Sequence, residues 1–219
     1  MRKNSLRPNQ MKRGLFLVGL CFATAFVAST RAQVVKPEMT VFGLPLGEKL
    51  TLPECPRERA KRGIGKYASS VDSTCWQAWN DTGDPIAFKM KDYDGVNRYV
   101  LFPVREKPEI SDYEKLPIFV IDGNLEGVNL GTAGYAVQDA VLAKLVAKWG
   151  KPQTVVPRTL QNGFGAKYNT VTAMWTFENL FVRFQGVSTG IEQGNITIRT
   201  KKGKEWDEAQ EQRPSRSEL

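Results

Sequence analysis

The 219-residue sequence contains no histidine. This absence excludes the Ser–His and Cys–His pairs that activate many hydrolases, and it removes the commonest metal ligand. Cysteine is also scarce, with three residues and no pair at C-x-x-C spacing. The glycine-containing stretches "KRGIGKY" and "NGFGAKY" lack the spacing of a nucleotide-binding P-loop. The sequence therefore predicts neither a metal site nor a cofactor.

The amino-terminal segment lacks aspartate and glutamate. Residues 1–32 contain six lysines or arginines, and the apolar run "GLFLVGLCFATAFV" occupies residues 14–27. An apolar run of this length after a basic start is typical of a secretory signal and is short for a membrane span. We predict a signal peptide at residues 1–32, cut after Ala32 so that the mature chain begins near Gln33. Cleavage near Ser29 and an uncleaved membrane anchor are the alternatives.

Removal of the signal changes the charge of the chain. The formal net charge is +8, and the six basic residues of the signal leave only +2. The basic isoelectric point is therefore weak evidence for nucleic-acid binding. We expect a periplasmic or secreted protein with no nucleic-acid partner and no stable membrane span after cleavage.

Two cysteines remain after the signal is removed. Cys21 lies inside the apolar run, where the preceding Leu20 disfavours lipid attachment. An even number of cysteines in an oxidising compartment predicts a disulfide between Cys55 and Cys75. A bridge that closes a loop of this size contributes roughly 3 kcal/mol to stability in the chain-entropy treatment. A metal-binding thiol pair is the poorer alternative.

Basic residues crowd the first half of this disulfide loop. A solvated charged face is the ordinary interpretation of such a cluster, and a binding site for an acidic partner is the functional hypothesis. The disulfide would favour binding because it limits the loop entropy lost when a partner is engaged. The candidate binding residues are Arg57, Arg59, Lys61, Arg62 and Lys66.

A stretch rich in proline and charge divides the mature chain. We predict a linker at 105–117, between a disulfide-bearing α+β subdomain at 33–104 and a second subdomain at 118–201. A long surface loop within one domain is the alternative. The tail at 202–219 is polar and charge-balanced, and is predicted to be mobile. The strands predicted in the first subdomain lie within 71–79, 85–91 and 97–104.

The second subdomain has the clearer periodicity. "PIFVIDGNLEGVNLGT" predicts two strands joined by a turn at Asp122-Gly123. Apolar residues at steps of four predict a helix over 135–149, ended by Gly150 and Pro152. Alternating apolar residues in "VTAMWTF", "LFVRF" and "NITIR" predict antiparallel strands with one buried face. The fold class is therefore α+β, with a helix packed on an antiparallel sheet. A shared G-x-x-L-G pattern at 43–47 and 127–131 leaves open two related modules in tandem.

The order of these elements over residues 127–200 resembles a known kind of envelope module. A helix ending at "WGKP" is followed by a strand with Trp175, then by "FVRF" and "NITI". This order resembles the SmpA/OmlA outer-membrane lipoprotein family and the similarly built β-lactamase inhibitor proteins. The resemblance implies a small module that binds other proteins. This chain departs from the lipoprotein pattern because it has no lipidated cysteine and has an additional disulfide-bearing half.

We therefore expect an exported, non-catalytic protein-binding module, either inhibitor-like or an accessory of cell-envelope assembly. Its partner would be a protein in the envelope or outside the cell. The alternative is a carboxylate-dependent hydrolase that acts on envelope polymer, which requires two acids about 5–10 Å apart. The candidate acids, none of which is set apart by its spacing, are Asp92, Asp94, Asp122 and Asp139.

Overall fold

The structure is a computed structural model. It describes residues 37–58, 65–78, 96–111, 115–161 and 163–212. The predicted signal peptide at 1–32 and the strand predicted within 85–91 lie outside these residues.

Within the described ranges the chain forms ten strands and two α-helices. The strands are β1 (Thr40–Val41), β2 (Leu44–Pro45), β3 (Cys75–Ala78), β4 (Val96–Leu101), β5 (Leu116–Ile121), β6 (Asn124–Thr132), β7 (Thr154–Gln161), β8 (Lys167–Thr176), β9 (Leu180–Gln185) and β10 (Gly194–Thr200). The helices are α1 (Gln138–Trp149) and α2 (Lys201–Glu211).

Eight of these strands form one antiparallel sheet in the order β3-β4-β5-β6-β10-β9-β8-β7. Alternation places one face of each central strand in the core, as in β10, where Ile196 and Ile198 are buried on either side of the half-buried Thr197. The predicted α+β class, with a helix on an antiparallel sheet, is confirmed.

The predicted turn and helix occupy the expected positions. Asp122 and Gly123 both have positive φ, 50° and 77°, and they connect β5 directly to β6. A turn that requires positive φ at both central residues favours this Asp-Gly pair. Helix α1 ends at Gly150, whose φ of 77° is readily adopted by glycine.

Helix α1 covers one face of the sheet. Its residues Val141, Leu145 and Trp149 are buried at steps of four. Trp149 lies against Trp175 of β8 with ring centroids 6.3 Å apart, and the Trp175 indole N–H donates to the carbonyl of Gly150 at 2.7 Å. The helix is thus fixed to β8 at its carboxyl end.

Helix α2 packs on the opposite face. Phe119 of β5 points away from its neighbours Ile118 and Val120, which belong to the hydrophobic core shared with α1. The ring of Trp206 on α2 meets Phe119 edge-on at 4.9 Å. The structure therefore differs here from the predicted mobile tail, because residues 201–211 are helical and are held by this contact.

A buried arginine provides a second anchor for α2. Arg199 donates to Asp207 of α2 at 2.8 Å and to the side-chain oxygen of Asn129 at 3.1 Å. Its guanidinium also lies 4.8 Å from the centroid of the Phe119 ring. Burial lowers the pKa of Arg199 below its usual value, while Asp207 opposes that shift. Thr200 caps the amino-terminal end of the helix, because its hydroxyl accepts a hydrogen bond from the N–H of Gly203.

The two predicted subdomains share this sheet. Strand β4, from the 33–104 segment, pairs with β5, which begins at Leu116 within the predicted linker and continues into the 118–201 segment. The described residues from 37 onward form one compact unit. The tandem arrangement is not confirmed. Residues 43–47 contribute to a two-stranded hairpin, whereas residues 127–131 lie inside the central strand β6.

Candidate functional site

The predicted disulfide between Cys55 and Cys75 is present, and both cysteines are buried. The segment at residues 53–55 runs along the outer side of β3. The N–H of Cys55 donates to the carbonyl of Trp76 at 2.7 Å, and the N–H of Trp76 donates to the carbonyl of Pro53 at 2.9 Å. The disulfide therefore closes a loop that also covers one edge of the eight-stranded sheet.

A side-chain cluster holds the base of the disulfide loop. Arg57 pairs with Glu54 at 2.9 Å, donates to the carbonyl of Gly65, and stacks over the Tyr67 ring at 3.8 Å. The Tyr67 hydroxyl donates to Glu54 at 2.6 Å and accepts from the N–H of Ala78. Burial and the Glu54 hydrogen bond raise the pKa of Tyr67 to about 12. The cluster therefore holds the two ends of the disulfide loop together through non-covalent contacts, next to the disulfide itself.

Two of the five predicted basic binding residues, Arg57 and Lys66, lie within the described residues. Arg57 is half-buried and belongs to the cluster just described, so its charge holds the loop base together. Lys66 is exposed. Arg59, Lys61 and Arg62 lie outside the described residues. A binding role for this set stays a prediction.

The candidate acids of the hydrolase alternative do not all lie within the described residues. Asp92 and Asp94 are outside them. Asp122 is in the turn before β6 and pairs with Lys202, while Asp139 is in the first turn of α1, after β6 ends. Strand β6 has nine residues and spans about 26 Å. Asp122 and Asp139 therefore lie at opposite ends of this strand, too far apart for a catalytic pair.

The described residues also form shallow grooves. One of about 150 Å³ lies between Ile110 and helix α1, lined in part by Val137 and Lys144, and another of about 70 Å³ lies beside β2. Small-molecule sites usually enclose about 300–1,000 Å³, so neither groove has the size of a substrate pocket. No group of three acidic, cysteine or histidine side chains arranged to hold a metal ion occurs within the described ranges.

The second edge of the sheet is strand β7, which sequence patterning missed. On one side β7 pairs with β8 along its whole length. On the other side, no strand among the described residues pairs with it. Seven of its eight residues are exposed, the exception being the half-buried Leu160. Strand β7 is therefore an open edge, in contrast to the covered edge at β3.

The orientation of the β7 backbone follows from its neighbours. Val171 of β8 accepts a hydrogen bond from Gly186, on the β9 side, so the adjacent Thr170 and Thr172 direct their backbone groups towards β7. Their partners on β7 are Arg158 and Val156. The intervening residues of β7 must therefore direct their backbone groups outward.

Three residues at the centre of β7 present outward backbone groups. Val155 and Thr159 each present an N–H and a carbonyl, and Pro157 presents a carbonyl alone because proline has no N–H. Proline is tolerated at this position because its missing donor faces away from β8. The open edge thus has two donors and three acceptors over five residues.

The charged residues in the sequence around this edge are all basic. Residues 140–177, which include most of α1 and all of β7 and β8, contain five lysines or arginines and no aspartate or glutamate. Lys148 is engaged by Glu38 at 2.7 Å. Lys151, Arg158 and Lys167 are exposed, and no carboxylate of the described residues forms an ion pair with them. The charged residues of this segment are therefore all positive, and the field at this edge is locally positive.

Exposed apolar and aromatic side chains accompany these charges. Val155 and Val156 of β7 are 50% and 44% exposed, and Phe164, in the turn between β7 and β8, is fully exposed. Tyr168 of β8 contacts Tyr135 edge-on at 5.3 Å, and the Tyr135 N–H donates to the carbonyl of Ile191. We call β7, the turn and β8 the basic hairpin. It combines an open backbone edge, positive charge and exposed apolar area.

No protein-family model matches the sequence, and no curated protein and no solved structure matches the chain. The resemblance of residues 127–200 to the SmpA/OmlA family accordingly stays a prediction. None of the helices that the described residues form is long and apolar enough to cross a membrane.

Proposed function

We propose that this protein is an exported, non-catalytic module that binds another protein through the basic hairpin. The observation that carries this proposal is the open edge at β7, where exposed backbone donors and acceptors coincide with positive charge. Natural sheets usually cover or interrupt such edges because they pair readily with other chains. Among the described residues, a segment covers the β3 edge of this sheet and none covers the β7 edge.

A protein surface fits this edge better than a small molecule does. Backbone groups along a strand are satisfied by another extended backbone, and the apolar side chains Val155, Val156 and Phe164 offer area for packing. Lys151, Arg158 and Lys167 would favour an acidic partner and speed the encounter. The described residues provide no comparable support for the hydrolase alternative, because Asp122 and Asp139 lie apart.

Export is supported by the buried Cys55–Cys75 disulfide, because such bonds persist in oxidising compartments and are rare in reducing ones. The predicted signal peptide at 1–32 points the same way. The periplasmic or secreted location is part of this proposal.

Site-specific photo-crosslinking tests the proposed surface. A benzophenone amino acid at Thr159 or Phe164 of the full-length protein, expressed in its own cells, should join the same partner protein. The matched control is Val104, which is 86% exposed but follows β4, towards the covered edge of the sheet. A single partner at Thr159 and Phe164 and none at Val104 is the expected result. Equal yields at all three sites, or no protein product at any site, would overturn the proposal.

Charge reversal provides a quantitative second test once the partner has been purified. The double variant Arg158→Glu, Lys167→Glu should associate about tenfold more slowly at low salt, with little change in dissociation rate. Lys201→Glu, at the exposed start of α2, is the matched control and should leave the rate near that of the wild type. An unchanged rate in the double variant would exclude an electrostatic role for the basic hairpin.

A further inference from the structure

The backbone geometry of the β7 edge specifies how the partner is bound. We infer that the partner contributes an extended, acidic segment that aligns beside β7 and adds a ninth strand to the sheet. This inference rests on the proposed function, since it names the binding mode and the chemical class of the segment.

The available hydrogen bonds determine the length and position of the added strand. The outward groups of Val155, Pro157 and Thr159 lie two residues apart, which is the repeat of a β-ladder. The eight residues of β7 span about 23 Å. A segment of about five to eight residues would therefore satisfy the edge. Its backbone would bond most fully opposite Val155 and Thr159, where both a donor and an acceptor are present.

Pro157 explains why side chains must contribute to recognition. Its missing N–H leaves one gap in any ladder formed along the edge, so backbone pairing alone would be weak. Arg158 follows Pro157 directly and lies on the same face of the strand as Val156 and Leu160. An acidic residue opposite Arg158, with an apolar residue opposite Val156, would compensate for the gap through cross-strand contacts.

Charge distinguishes an acidic segment from a second copy of this chain. Two β7 edges placed side by side would bring two Arg158 side chains, and the exposed Lys151 and Lys167 of both copies, to one shared edge. Like charges close together in neighbouring strands of a sheet are unfavourable. A partner segment with glutamate or aspartate at every second position of each face would instead meet these side chains with opposite charge.

Amide hydrogen exchange tests the binding mode directly. The probe is a soluble nonapeptide built on the repeat valine-valine-glutamate-glutamate, which places valine and glutamate in turn along each face of an extended strand. It is added to the isotope-labelled mature protein at low salt. We expect the amides of Val155 and Thr159 to exchange at least about tenfold more slowly with the peptide bound, because each would gain a hydrogen bond. The matched peptide with lysine in place of glutamate should leave both rates unchanged.

Two substitutions at one position separate backbone pairing from side-chain docking. Thr159→Pro removes an outward N–H without removing a bond to β8, and should weaken peptide binding at least about fivefold, as expected for one lost hydrogen bond. Thr159→Val keeps that N–H and, like the proline variant, lacks the hydroxyl that bonds Asn169. It should therefore bind as the wild type does. Circular dichroism and a urea melt check that each variant folds.

Three results would overturn the inference. The first is peptide binding that leaves the Val155 and Thr159 exchange rates unchanged, and the second is equal binding of the acidic and basic peptides. The third is slowed exchange of these amides in the protein alone at rising concentration, which would assign the edge to self-association. A partner that crosslinks at Thr159 and Phe164 but leaves these amides unprotected would refute strand addition and uphold the proposed function.

Discussion

Loss of the disulfide should destabilise the protein by an amount that its loop size determines. Cys55 and Cys75 are 20 residues apart in sequence. The chain-entropy treatment then assigns the bond about 3 kcal/mol, because an open chain of this length has many more unfolded conformations. Since single domains have only about 5–15 kcal/mol of net stability, this is a large fraction of the total.

The surroundings of the cysteines determine how this prediction is best tested. Both side chains are buried in a small cluster with Leu101, beside Tyr67 and Tyr99. Cys75→Ser would place a hydroxyl in this apolar cluster and leave a free thiol at Cys55, so its cost should lie within about 2–5 kcal/mol. The double variant Cys55→Ala, Cys75→Ala avoids the buried hydroxyl and isolates the effect of the cross-link more cleanly.

Urea denaturation of the mature chain, with and without reductant, measures the effect. Reductant should lower the unfolding free energy of the wild type by about 3 kcal/mol and should not change that of the double alanine variant. Thiol labelling of the native protein should detect no free thiol at Cys55 or Cys75. Two reactive thiols, or a reductant effect below about 1 kcal/mol, would refute the argument.

The native fold should nevertheless survive reduction. Arg57 and Tyr67 form a backbone bridge inside the disulfide loop, and Glu58 donates to the carbonyl of Lys66. The cluster around Glu54 therefore keeps the loop base closed without the covalent bond. Binding at β7, which lies at the other end of the strand order, should be unaffected by reductant in conditions where the protein stays folded.

Two further predictions concern α2 and the loop base. Gly203→Ala should destabilise the protein by about 1–2 kcal/mol in urea denaturation, because the alanine Cβ would lie 2.4 Å from the backbone oxygen of Glu126. This cost should exceed the gain expected from the higher helix propensity of alanine. The control is Glu205→Ala, on the exposed side of the same helix, which should be nearly neutral. The second prediction concerns Tyr67, whose pKa is raised from 10.0 to about 12 in the folded protein. The unfolded chain therefore loses the tyrosine proton at a lower pH than the folded chain does. As a result, the unfolding free energy should fall between pH 10 and 12 more steeply in the wild type than in Tyr67→Phe. Parallel slopes in the two proteins would contradict the second prediction.

Local sequence signals determined much of the carboxyl-terminal half. The Asp122-Gly123 turn, the helix that ends before Gly150 and the alternating strands β8, β9 and β10 were all predicted. Each of these elements depends on interactions between residues close in sequence, or on the burial of a single face. The sequence pattern that marks the element can therefore be recognised before the tertiary structure is known. The cysteine count likewise predicted the disulfide, because only two cysteines follow the predicted signal peptide.

Helix α2 shows where this approach fails. Its sequence is polar nearly throughout, and its attachment depends on Trp206, on the buried Arg199 and on the close approach of Gly203 to β6. These contacts join residues up to 87 positions apart, as Phe119 and Trp206 are, and composition alone therefore predicted a mobile tail. Arg57 is a similar case, since its charge indicated a free binding residue until the fold placed it against Tyr67.

The candidate site is the clearest example of what only the tertiary structure decided. Strand β7 is exposed on both faces, so "TVVPRTLQ" has no period-two pattern to mark it as a strand. The sequence does contain a signal of the site, namely the absence of acids over residues 140–177. That signal does not indicate an edge, however, because being last in a sheet depends on the order of all its strands. The strand order places β3 and β7 at the two edges, residues 53–55 cover β3, and no described strand covers β7, which is why we propose β7 as the binding edge.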